Sequence, residues 1–370
     1  MTRVKGDRPN IKDHSIEKLR ERFARDGFEP YRAEQIASWL YRRGVEDPDS
    51  MSDLGRTLRA HLAGAWETRA LEVEVVQRSS DGTLKAVLQA KDGARLESVL
   101  IPEEDRTTLC VSTQVGCPLE CCFCATGALG FTRNLATAEI VDQVCRMREI
   151  LEPPRQITNV VFMGMGEPLL NFAAVVEAVR ILLHPKGFAM APRRVTVSTV
   201  GVAPKIEPLL RSVPVNLAVS LHATTDAIRD ELVPINRRFP LRVLLGTLRE
   251  LDCITKQRPV FFEYALIAGV NDASADARRL APLLRGIPAK LNLIPINRHE
   301  GSPHVPPSEQ VIDRFLREVA GDGLRVTLRR SRGCDIRAAC GQLALHPARE
   351  CAASWVELLV RNQATARRGR

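Results

Sequence analysis

The amino-acid sequence predicts an α/β fold in which a partial (β/α)6 barrel follows a small N-terminal helical domain and a short β-hairpin extension. Two observations support this prediction. From about residue 108 onward, six short segments rich in Val and Leu alternate with helical patterns, which is typical of βαβ units with parallel strands. Between about residues 71 and 102, apolar and polar residues alternate in segments separated by Asp-Gly pairs, which is typical of antiparallel hairpins.

Composition limits the class of protein. The chain has 370 residues, 45% of them apolar, which is enough for one large core and a small additional domain. No apolar run approaches the ~18 residues of a membrane span, and residues 1–14 lack the apolar stretch of a secretion signal. We therefore expect a cytoplasmic protein without a membrane partner, whose ten cysteines stay reduced. The net charge of +9 is suited to a polyanionic partner.

Residues 1–68 predict the helical accessory domain. Ser15 is suited to cap a first helix, a second helix carries Trp39, and a third begins near Ser52. Eight arginines between residues 20 and 59 decorate this domain. They indicate either an ordinary solvated surface or a face that contacts RNA, and both interpretations stay open.

The remaining boundaries follow from the change of pattern. Residues 69–104 predict the hairpin extension, with turns at Asp81-Gly82 and Asp92-Gly93, residues 105–345 the barrel, and residues 346–370 a C-terminal helix and a basic tail. Thr137 is suited to cap one barrel helix, and Ser308 leads into another. The candidate barrel strands are 109–115, 159–163, 194–200, 215–221, 260–266 and 290–296.

Unusual polar or glycine-bearing segments follow five of these candidate strands. A cysteine cluster follows the first, residues 164–168 follow the second, residues 198–201 and 220–223 end the third and fourth, and Asn297 follows the sixth. Chemistry in (β/α) barrels gathers at the C-terminal ends of the strands. We therefore expect these segments to meet on one rim of the barrel.

The cysteine cluster consists of Cys117, Cys121 and Cys124 in the spacing C-x3-C-x2-C. Three thiolates can hold three irons of a [4Fe–4S] cube and leave the fourth iron open to S-adenosylmethionine (SAM), whose carbon–sulfur bond then breaks on transfer of one electron. The alternative is structural zinc, which requires four ligands, usually in two C-x2–4-C pairs, and no second such pair is present. Cys122, between the candidate ligands, is predicted to be a bystander.

The other rim residues are candidate SAM ligands. Glycines let a backbone approach a ligand closely, and a carbonyl in residues 164–168 is suited to accept from the SAM ammonium. A plainer interpretation applies to each, because turn glycines are common and a histidine at a strand end usually has a structural role. The candidates are Gly166, Glu167, Ser198, Ser220, Leu221, His222 and Asn297.

An arginine-rich segment near the C-terminus leads to two further cysteines, Cys334 and Cys340. Five arginines and one aspartate lie between residues 324 and 337. Arginines suit phosphate contact, and nearby cations lower the pKa of a thiol. The segment therefore predicts a reactive thiol next to a polyanion-binding surface.

With these motifs the sequence resembles the radical SAM RNA methyltransferases of the RlmN/Cfr family, which methylate an unreactive carbon of adenine. The resemblance spans residues ~97 to ~343, and the N-terminal helical domain is similar to the accessory domain of the family. It implies a radical SAM barrel with a [4Fe–4S] cluster on Cys117, Cys121 and Cys124. The matching segments are 109–117, 121–127, 164–168, 220–223, 233–236 and 335–343.

The resemblance also implies a mechanism with two SAM molecules per turnover. One SAM methylates Cys340, and the radical made from the second takes a hydrogen from that S-methyl group. The new carbon radical adds to adenine, Glu97 removes the ring proton, and Cys110 attacks the sulfur of Cys340, so that a transient disulfide forms and methylated RNA leaves. Without the resemblance, Cys110 would be a core residue and Glu97 a surface carboxylate. Cys334 is not expected at its position.

The resemblance further implies the substrates and partners. The family acts on an adenine of 23S rRNA in the peptidyl-transferase region, and its carbon-2 branch also acts on adenine 37 of some tRNAs. We therefore expect a monomeric carbon-2 methyltransferase that receives electrons from a flavodoxin or a ferredoxin. Three alternatives stay open: a carbon-8 methyltransferase of the same family, which confers antibiotic resistance; a radical SAM enzyme with a non-RNA substrate; and a non-catalytic zinc protein that binds RNA.

Overall fold

The computed structural model describes residues 8–298 and 302–345. Its strands are β1 (Leu71–Arg78), β2 (Leu84–Ala90), β3 (Arg95–Pro102), β4 (Thr107–Cys110), β5 (Gln114–Gly116), β6 (Phe131–Asn134), β7 (Asn159–Phe162), β8 (Val195–Thr199), β9 (Asn216–Ser220), β10 (Val260–Leu266), β11 (Ala289–Pro295) and β12 (Val326–Leu328). Its α-helices are α1 (Ile16–Arg25), α2 (Arg32–Ala37), α3 (Arg56–Ala65), α4 (Ala125–Ala128), α5 (Thr137–Ile150), α6 (Phe172–Leu183), α7 (Ile206–Ser212), α8 (Asp226–Leu232), α9 (Leu241–Glu250), α10 (Ser274–Leu283) and α11 (Glu309–Gly321).

The N-terminal helices pack against each other and bury an aromatic core. Ser15 caps α1 as predicted, since its hydroxyl accepts from the Lys18 amide. The second helix runs on from α2 as a π-helical turn, Ser38–Arg43. The third helix begins at Arg56, later than the predicted start near Ser52, because the preceding chain forms a 3-10 turn and Gly55 takes the position before the helix.

A buried ion network fixes this helical unit to α5. The ammonium of Lys12 pairs with Glu46 and Asp142, and Arg146 pairs with the same two carboxylates. Among the described residues, Glu46, Asp142 and Cys145 are the one group whose ligand atoms are close enough to hold a metal ion. Because Lys12 and Arg146 together neutralise the two carboxylates, this cluster needs no metal.

The predicted hairpin extension is a three-stranded antiparallel sheet that continues directly into the barrel. The turns at Gly82 and Gly93 are confirmed, with φ of +85° and +84°. Strand β3 pairs antiparallel with β4, and Val99 lies opposite Cys110. The sheet therefore has ten strands in the order β1-β2-β3-β4-β7-β8-β9-β10-β11-β12.

The six predicted barrel strands are present and pair in parallel, and β12 adds a short seventh next to β11. The bounds predicted for the first strand were wrong. Strand β4 ends at Cys110, because the Ser112 amide donates to Gln143 Oε1 (2.7 Å) and the Thr113 amide to the Met165 carbonyl (2.8 Å) instead of to a neighbouring strand. The chain then forms β5, which pairs with β6 in a separate hairpin.

The helix caps of the barrel were predicted in part. Ser308 caps α11, since its hydroxyl accepts from the Val311 amide. Thr137 is the first residue of α5 rather than its cap, and the carboxylate of Glu139 accepts from the Ala136 amide there. No helix within the described ranges is both long and apolar enough to span a bilayer. The predicted C-terminal helix and basic tail lie outside the described residues.

Candidate active site

The cluster loop, residues 117–124, connects the end of β5 to the start of α4. The Cys117 amide donates to the Gly130 carbonyl (2.9 Å), and the Cys124 amide donates to the Cys121 carbonyl (3.0 Å). Gly116 has φ of +76°, and a Cβ at this position would lie 1.8 Å from the Gly130 carbonyl oxygen. Only glycine therefore fits where β5 crosses the end of α4, and this crossing sets the course of the loop.

The three predicted ligand thiols lie close enough to influence one another's charge. Burial raises the pKa of Cys117 to about 12, and the charges of Cys124 and Glu167 add to the effect. Burial also raises the pKa of Cys121 well above its usual value, and the charges of Cys124 and Cys117 add to it. Without a cation these buried thiols stay protonated, and a bound iron–sulfur cluster would supply the positive charge that keeps them deprotonated.

The distances among the thiols bear on whether the site would hold an iron–sulfur cube or a single zinc ion. Zinc–thiolate bonds of ~2.3 Å in a tetrahedron bring two sulfurs to within about 3.8 Å of each other. Within the described residues, no group that includes Cys117, Cys121 and Cys124 has all its ligand atoms within 4.8 Å. The three thiols therefore do not form a preorganised zinc site, and their number suits a [4Fe–4S] cube with one open iron.

The glycine-bearing segment after β7 packs directly against residues 111–114. A Cβ at Gly164 would lie 2.6 Å from Ser112 Oγ, and one at Gly166, where φ is +96°, would lie 2.5 Å from Cβ of Gln114. Both glycines are therefore required for this close packing.

Glu167 is buried with its carboxylate bound by backbone amides. Oε1 accepts from the Leu169 amide (2.9 Å) and Oε2 from the Val200 amide (2.9 Å). Burial raises the pKa of Glu167 to about 7, and the two amides oppose that shift. The carboxylate thus ties the segment after β7 to the end of β8, and its charge acts on Cys117 and Cys121.

The residues predicted at the ends of β8 and β9 lie on the expected rim. Ser198 is half-buried beside the last residue of β8, and Ser220 ends β9. Leu221 is fully buried, and its carbonyl accepts from Arg229 Nε (2.9 Å). The Arg229 guanidinium also donates to the Ser220 and Val200 carbonyls and so joins the ends of β8 and β9.

His222 supports the cluster loop. Its Nδ1 accepts from the Ala265 amide (3.0 Å), which leaves the ring proton on Nε2. Burial and the charge of Arg229 lower its pKa to about 3, so the ring is neutral. The ring meets Phe123 edge to face, with 4.9 Å between centroids. The structure therefore gives His222 a positioning contact with the loop that carries the cysteines.

The C-terminal loop, residues 329–345, folds back onto the cluster loop and the β-extension. The Ala125 amide donates to the Gly341 carbonyl (2.7 Å), and Thr126 Oγ1 donates to the Leu343 carbonyl (2.7 Å). On the other side, Asp335 accepts from Ser79 Oγ (2.5 Å) and the Ser80 amide (3.0 Å) in the turn between β1 and β2. These contacts place Cys340 between the predicted iron ligands and the extension.

Asn297 binds this loop in the structure. Its Nδ2 donates to the Cys340 carbonyl (3.1 Å), and its Oδ1 lies 3.6 Å from Cys334 Sγ. Asn297 was predicted to contact SAM, and in the structure its side-chain amide is hydrogen-bonded to the backbone of Cys340, the candidate methyl carrier.

Cys110 and Cys340 interact across the site. Cys110 is buried at the last position of β4, and burial together with the charge of Cys340 raises its pKa to about 12. Cys340 retains accessible surface, and desolvation by the surrounding protein raises its pKa. The Arg329 guanidinium favours the thiolate of both cysteines, and the charge of Cys124 acts on Cys340.

Glu97 is fully buried on β3, under the C-terminal loop. Its Oε1 lies 3.0 Å from Nζ of Lys85 on β2, in an ion pair without hydrogen-bond geometry, and its Oε2 accepts from the Leu345 amide (3.2 Å). Lys85 is itself buried and donates to the Arg337 carbonyl (3.3 Å). The sequence analysis, without the resemblance, placed this carboxylate on the surface, which was wrong because the C-terminal loop covers it.

Lys85 and Glu263 were not singled out from the sequence, whereas Arg329 belongs to the arginine-rich segment that was predicted to lie near a reactive thiol. Glu263 is buried on β10, accepts from Asn292 Nδ2 (2.9 Å) and lies 3.6 Å from the Arg329 guanidinium. Burial raises its pKa, and Arg329 opposes that shift. The available signal was a charged residue inside an otherwise apolar strand, since buried charges are rare unless they are paired.

Two family models match the chain. The model of the ribosomal RNA large subunit methyltransferase N-terminal domain matches residues 9–67, and that of the radical SAM superfamily matches residues 111–281. Among solved structures, a radical SAM methyltransferase from Sphaerobacter thermophilus is 45% identical, with a TM-score of 0.84 over 90% of this chain and 98% of that one.

Curated relatives agree with these matches over nearly the whole chain. The dual-specificity RNA methyltransferase RlmN of Geobacter sulfurreducens is 49% identical over 334 residues, which are 90% of this chain and 91% of the relative. The protein of the same name from Geotalea uraniireducens is 47% identical over 91% of this chain and 97% of its own. The chain, with its three-cysteine loop on a (β/α) barrel, therefore belongs to the RlmN family of radical SAM RNA methyltransferases.

Proposed function

We propose that this enzyme methylates carbon 2 of an adenine in the peptidyl-transferase region of 23S rRNA and of adenine 37 in some tRNAs. The relatives at 47–49% identity are named dual-specificity RNA methyltransferases, which supports two RNA substrates. The observation that carries the chemistry is that Cys340 interacts with both Cys124 of the cluster loop and Cys110 of the barrel. A cysteine that carries the methyl group has to approach both the cluster loop and the barrel thiol that later attacks its sulfur.

Cys117, Cys121 and Cys124 hold the [4Fe–4S] cluster in this proposal. When bound, the cluster and SAM supply one-electron cleavage of a carbon–sulfur bond. The chain holds the ligands with the tight crossing at Gly116 and the packing of Phe123 on His222. In this proposal SAM would lie among the rim residues. Four of them are half-buried, Gly166, Ser198, Ser220 and Asn297, and three are buried, Glu167, Leu221 and His222.

Cys340 is the proposed carrier of the methyl group, and two SAM molecules are consumed per turnover. Its sulfur has to be nucleophilic in the first step, and the Arg329 guanidinium favours the thiolate against the opposing effect of burial. The hydrogen bonds from Ala125 and Asn297 hold the Cys340 loop beside the cluster. The loop thus has to keep the sulfur within reach of both SAM and RNA.

Cys110 is the proposed resolving thiol. A pKa of about 12 keeps it protonated at neutral pH, so it stays unreactive toward SAM while Cys340 is methylated. After addition to the base, Cys110 attacks the sulfur of Cys340, a transient disulfide forms, and the methylated adenine leaves. The Arg329 guanidinium favours the thiolate needed for that attack.

Glu97 is the proposed general base for the ring proton of the adenine. The Lys85 ammonium lies 3.0 Å from one oxygen of its carboxylate. The Leu345 amide donates to the other oxygen (3.2 Å) and covers it. Adenine entry therefore requires displacement of the chain around Leu345, and the base has to be flipped out of its RNA structure to reach the site.

The remaining partners follow from charge and family. The arginines of the N-terminal domain and the net charge of +9 support an RNA-contacting role, with affinity that falls as salt rises. The domain arrangement proposed is an RNA-contacting domain over residues 1–68, an extension over 69–104, a catalytic barrel over 105–345 and a terminal helix and tail over 346–370. We propose a cytoplasmic monomer with flavodoxin or ferredoxin as electron donor.

The test is methylation of 23S rRNA fragments and tRNA by anaerobically reconstituted enzyme, with the methylated carbon identified by mass spectrometry of digested RNA. The expected product is 2-methyladenosine in both RNAs. A methyl group on carbon 8 would overturn the proposed position and favour the carbon-8 alternative. SAM cleavage without any RNA product would favour a substrate other than RNA.

A further inference from the structure

The C-terminal loop carries a thiol, Cys334, that the proposed reaction does not use. Cys334 is exposed, and its sulfur lies 3.6 Å from Oδ1 of Asn297. Nδ2 of the same amide donates to the Cys340 carbonyl (3.1 Å). A single side-chain amide thus bridges the two cysteines of the loop.

Residues 333–338 form a compact turn directly before Cys340. The Arg337 amide donates to the Cys334 carbonyl (3.1 Å), and the Ala338 amide donates to the Gly333 carbonyl (2.8 Å). Gly333 and Gly341 have φ of +68° and +79° and flank the two cysteines. Burial raises the pKa of Cys334, and the charges of Asp81, Asp335 and Cys340 add to the effect.

The burial of Cys110 restricts where a reductant can attack the disulfide that the proposed reaction leaves behind. Each turnover of the proposed function leaves a disulfide between Cys110 and Cys340, which has to be reduced before Cys340 can be methylated again. Cys110 is buried at the end of β4, so half of that disulfide is out of reach of a protein reductant. Cys334 lies on the same loop as Cys340 and faces solvent.

We propose that Cys334 is a recycling thiol that transfers the disulfide from the barrel interior to the surface. The Cys334 thiolate attacks the sulfur of Cys340, forms the Cys334–Cys340 bond and expels Cys110, which takes up a proton. This exchange leaves the redox state of the protein unchanged. A protein dithiol then reduces the exposed disulfide with two electrons, becomes a disulfide itself and leaves Cys334 and Cys340 as thiols. The inference rests on the proposed function.

Disulfide mapping after one turnover tests the exchange. The enzyme is given SAM, an rRNA fragment and an electron-transfer protein without a dithiol, then quenched in acid, alkylated and digested with trypsin. Cleavage after Arg337 puts Cys334 and Cys340 on different peptides, and Cys110 lies on a third. The expected linkage is Cys334–Cys340 in the wild type and Cys110–Cys340 in Cys334→Ser. A wild-type protein with only the Cys110–Cys340 linkage overturns the proposal.

Turnover with different reductants provides the second readout. With a protein dithiol as the sole disulfide reductant, we expect the multiple-turnover rate of Cys334→Ser to fall at least about fivefold, because the intramolecular attack is lost. A small dithiol such as dithiothreitol restores the rate, since Cys340 retains accessible surface. Equal rates of wild type and Cys334→Ser with the protein dithiol contradict the recycling role.

Cys253→Ser is the matched control. Cys253 is half-buried in the turn before β10, and it therefore lies at the opposite end of the barrel from the site. Its replacement leaves the rates and the linkages at wild-type values. Loss of the first-turnover methyl group from the wild type would overturn the proposed function itself. A normal first turnover in which the wild type shows only the Cys110–Cys340 disulfide overturns only the recycling step.

Discussion

The cluster loop and the C-terminal loop differ in how their reactive groups are assembled. The three candidate iron ligands lie within eight consecutive residues, and a hairpin crossing and a short helix hold them. The proposed methyl-transfer group, Glu97, Cys110 and Cys340, comes from a strand of the extension, a strand of the barrel and a loop more than two hundred residues later. The first group is specified by local sequence, whereas the second exists only after the sheet and loop have come together.

This difference predicts which substitutions would disrupt each group of residues. Replacing a ligand in the cluster loop removes a donor but leaves the rest of the fold in place. The methyl-transfer group also depends on contacts that contain no reactive atom, such as Asp335 with the turn between β1 and β2, and Ala125 with Gly341. We therefore expect iron content and methylation to respond separately to changes in the two regions.

The largest effect is expected from loss of a cluster ligand. Cys117→Ala, Cys121→Ala or Cys124→Ala leaves two thiolates where three are needed, so iron binding and RNA methylation both fall to background. The measurements are iron content of anaerobically reconstituted protein and methyl incorporation into an rRNA fragment. Cys122→Ala is the control, since the Cys122 sulfur points to His304 (3.3 Å), and it retains both properties. Full iron content in any of the three variants would contradict the ligand assignment.

Replacing the proposed methyl carrier is expected to affect methylation without affecting iron content. Cys340→Ala removes the sulfur that is proposed to carry the methyl group, so methylation falls to background, but the candidate cluster ligands are intact and iron content stays at the wild-type level. The measurement is the same pair of assays on one preparation. Methylation by Cys340→Ala would instead support a direct transfer and remove the C-terminal loop from the reaction.

A smaller effect is expected from the buried ion pair on the extension. Glu97→Gln keeps the shape of the side chain but removes the base, so methylation falls by ~100-fold and a covalent RNA–protein adduct accumulates, visible as a slow band on a denaturing gel.

The Lys85 side of the pair sharpens this prediction. Lys85→Met leaves the Glu97 carboxylate buried without its partner and lowers the free energy of unfolding by about 3 kcal/mol. Lys85→Arg, which keeps the charge, is the control for that loss. A Lys85→Met protein with wild-type stability and activity would contradict a role for this ion pair.

The smallest effect is a change in the pH dependence of stability at His222. Its pKa is lowered to about 3, so the native state keeps the ring neutral where an unfolded chain binds a proton below its ordinary value of 6.5. His222 therefore contributes fully to the free energy of unfolding above pH 6.5. This contribution is lost as the pH falls toward 3, by up to about 1.4 kcal/mol per pH unit.

His222→Asn isolates that contribution. Asn tolerates the φ of +57° at this position and retains an acceptor for the Ala265 amide. Urea unfolding between pH 7 and pH 4.5 should give a shallower loss of stability in the variant than in the wild type. Parallel curves for the two proteins would show that His222 is protonated in the native state.

Much of the barrel could be predicted because periodicity is a local property. The parallel strands and the placement of the glycine-bearing segments after them were confirmed. The end of β4 was wrong because side-chain and loop acceptors, Gln143 and Met165, take the backbone amides that a strand neighbour would otherwise bind. No sequence window contains that competition, since the acceptors lie about thirty and fifty residues away.

The sequence by itself determined the trio of thiols, because ligands spaced within one loop need only local geometry to converge on a metal group. The tertiary structure alone decided that Glu97 is buried against Lys85, that Cys110 ends its strand beside Cys340, and that Asn297 bridges two cysteines. The physical reason is that burial and electrostatic pairing depend on distances between remote segments, and only the closed sheet with its covering loop sets those distances.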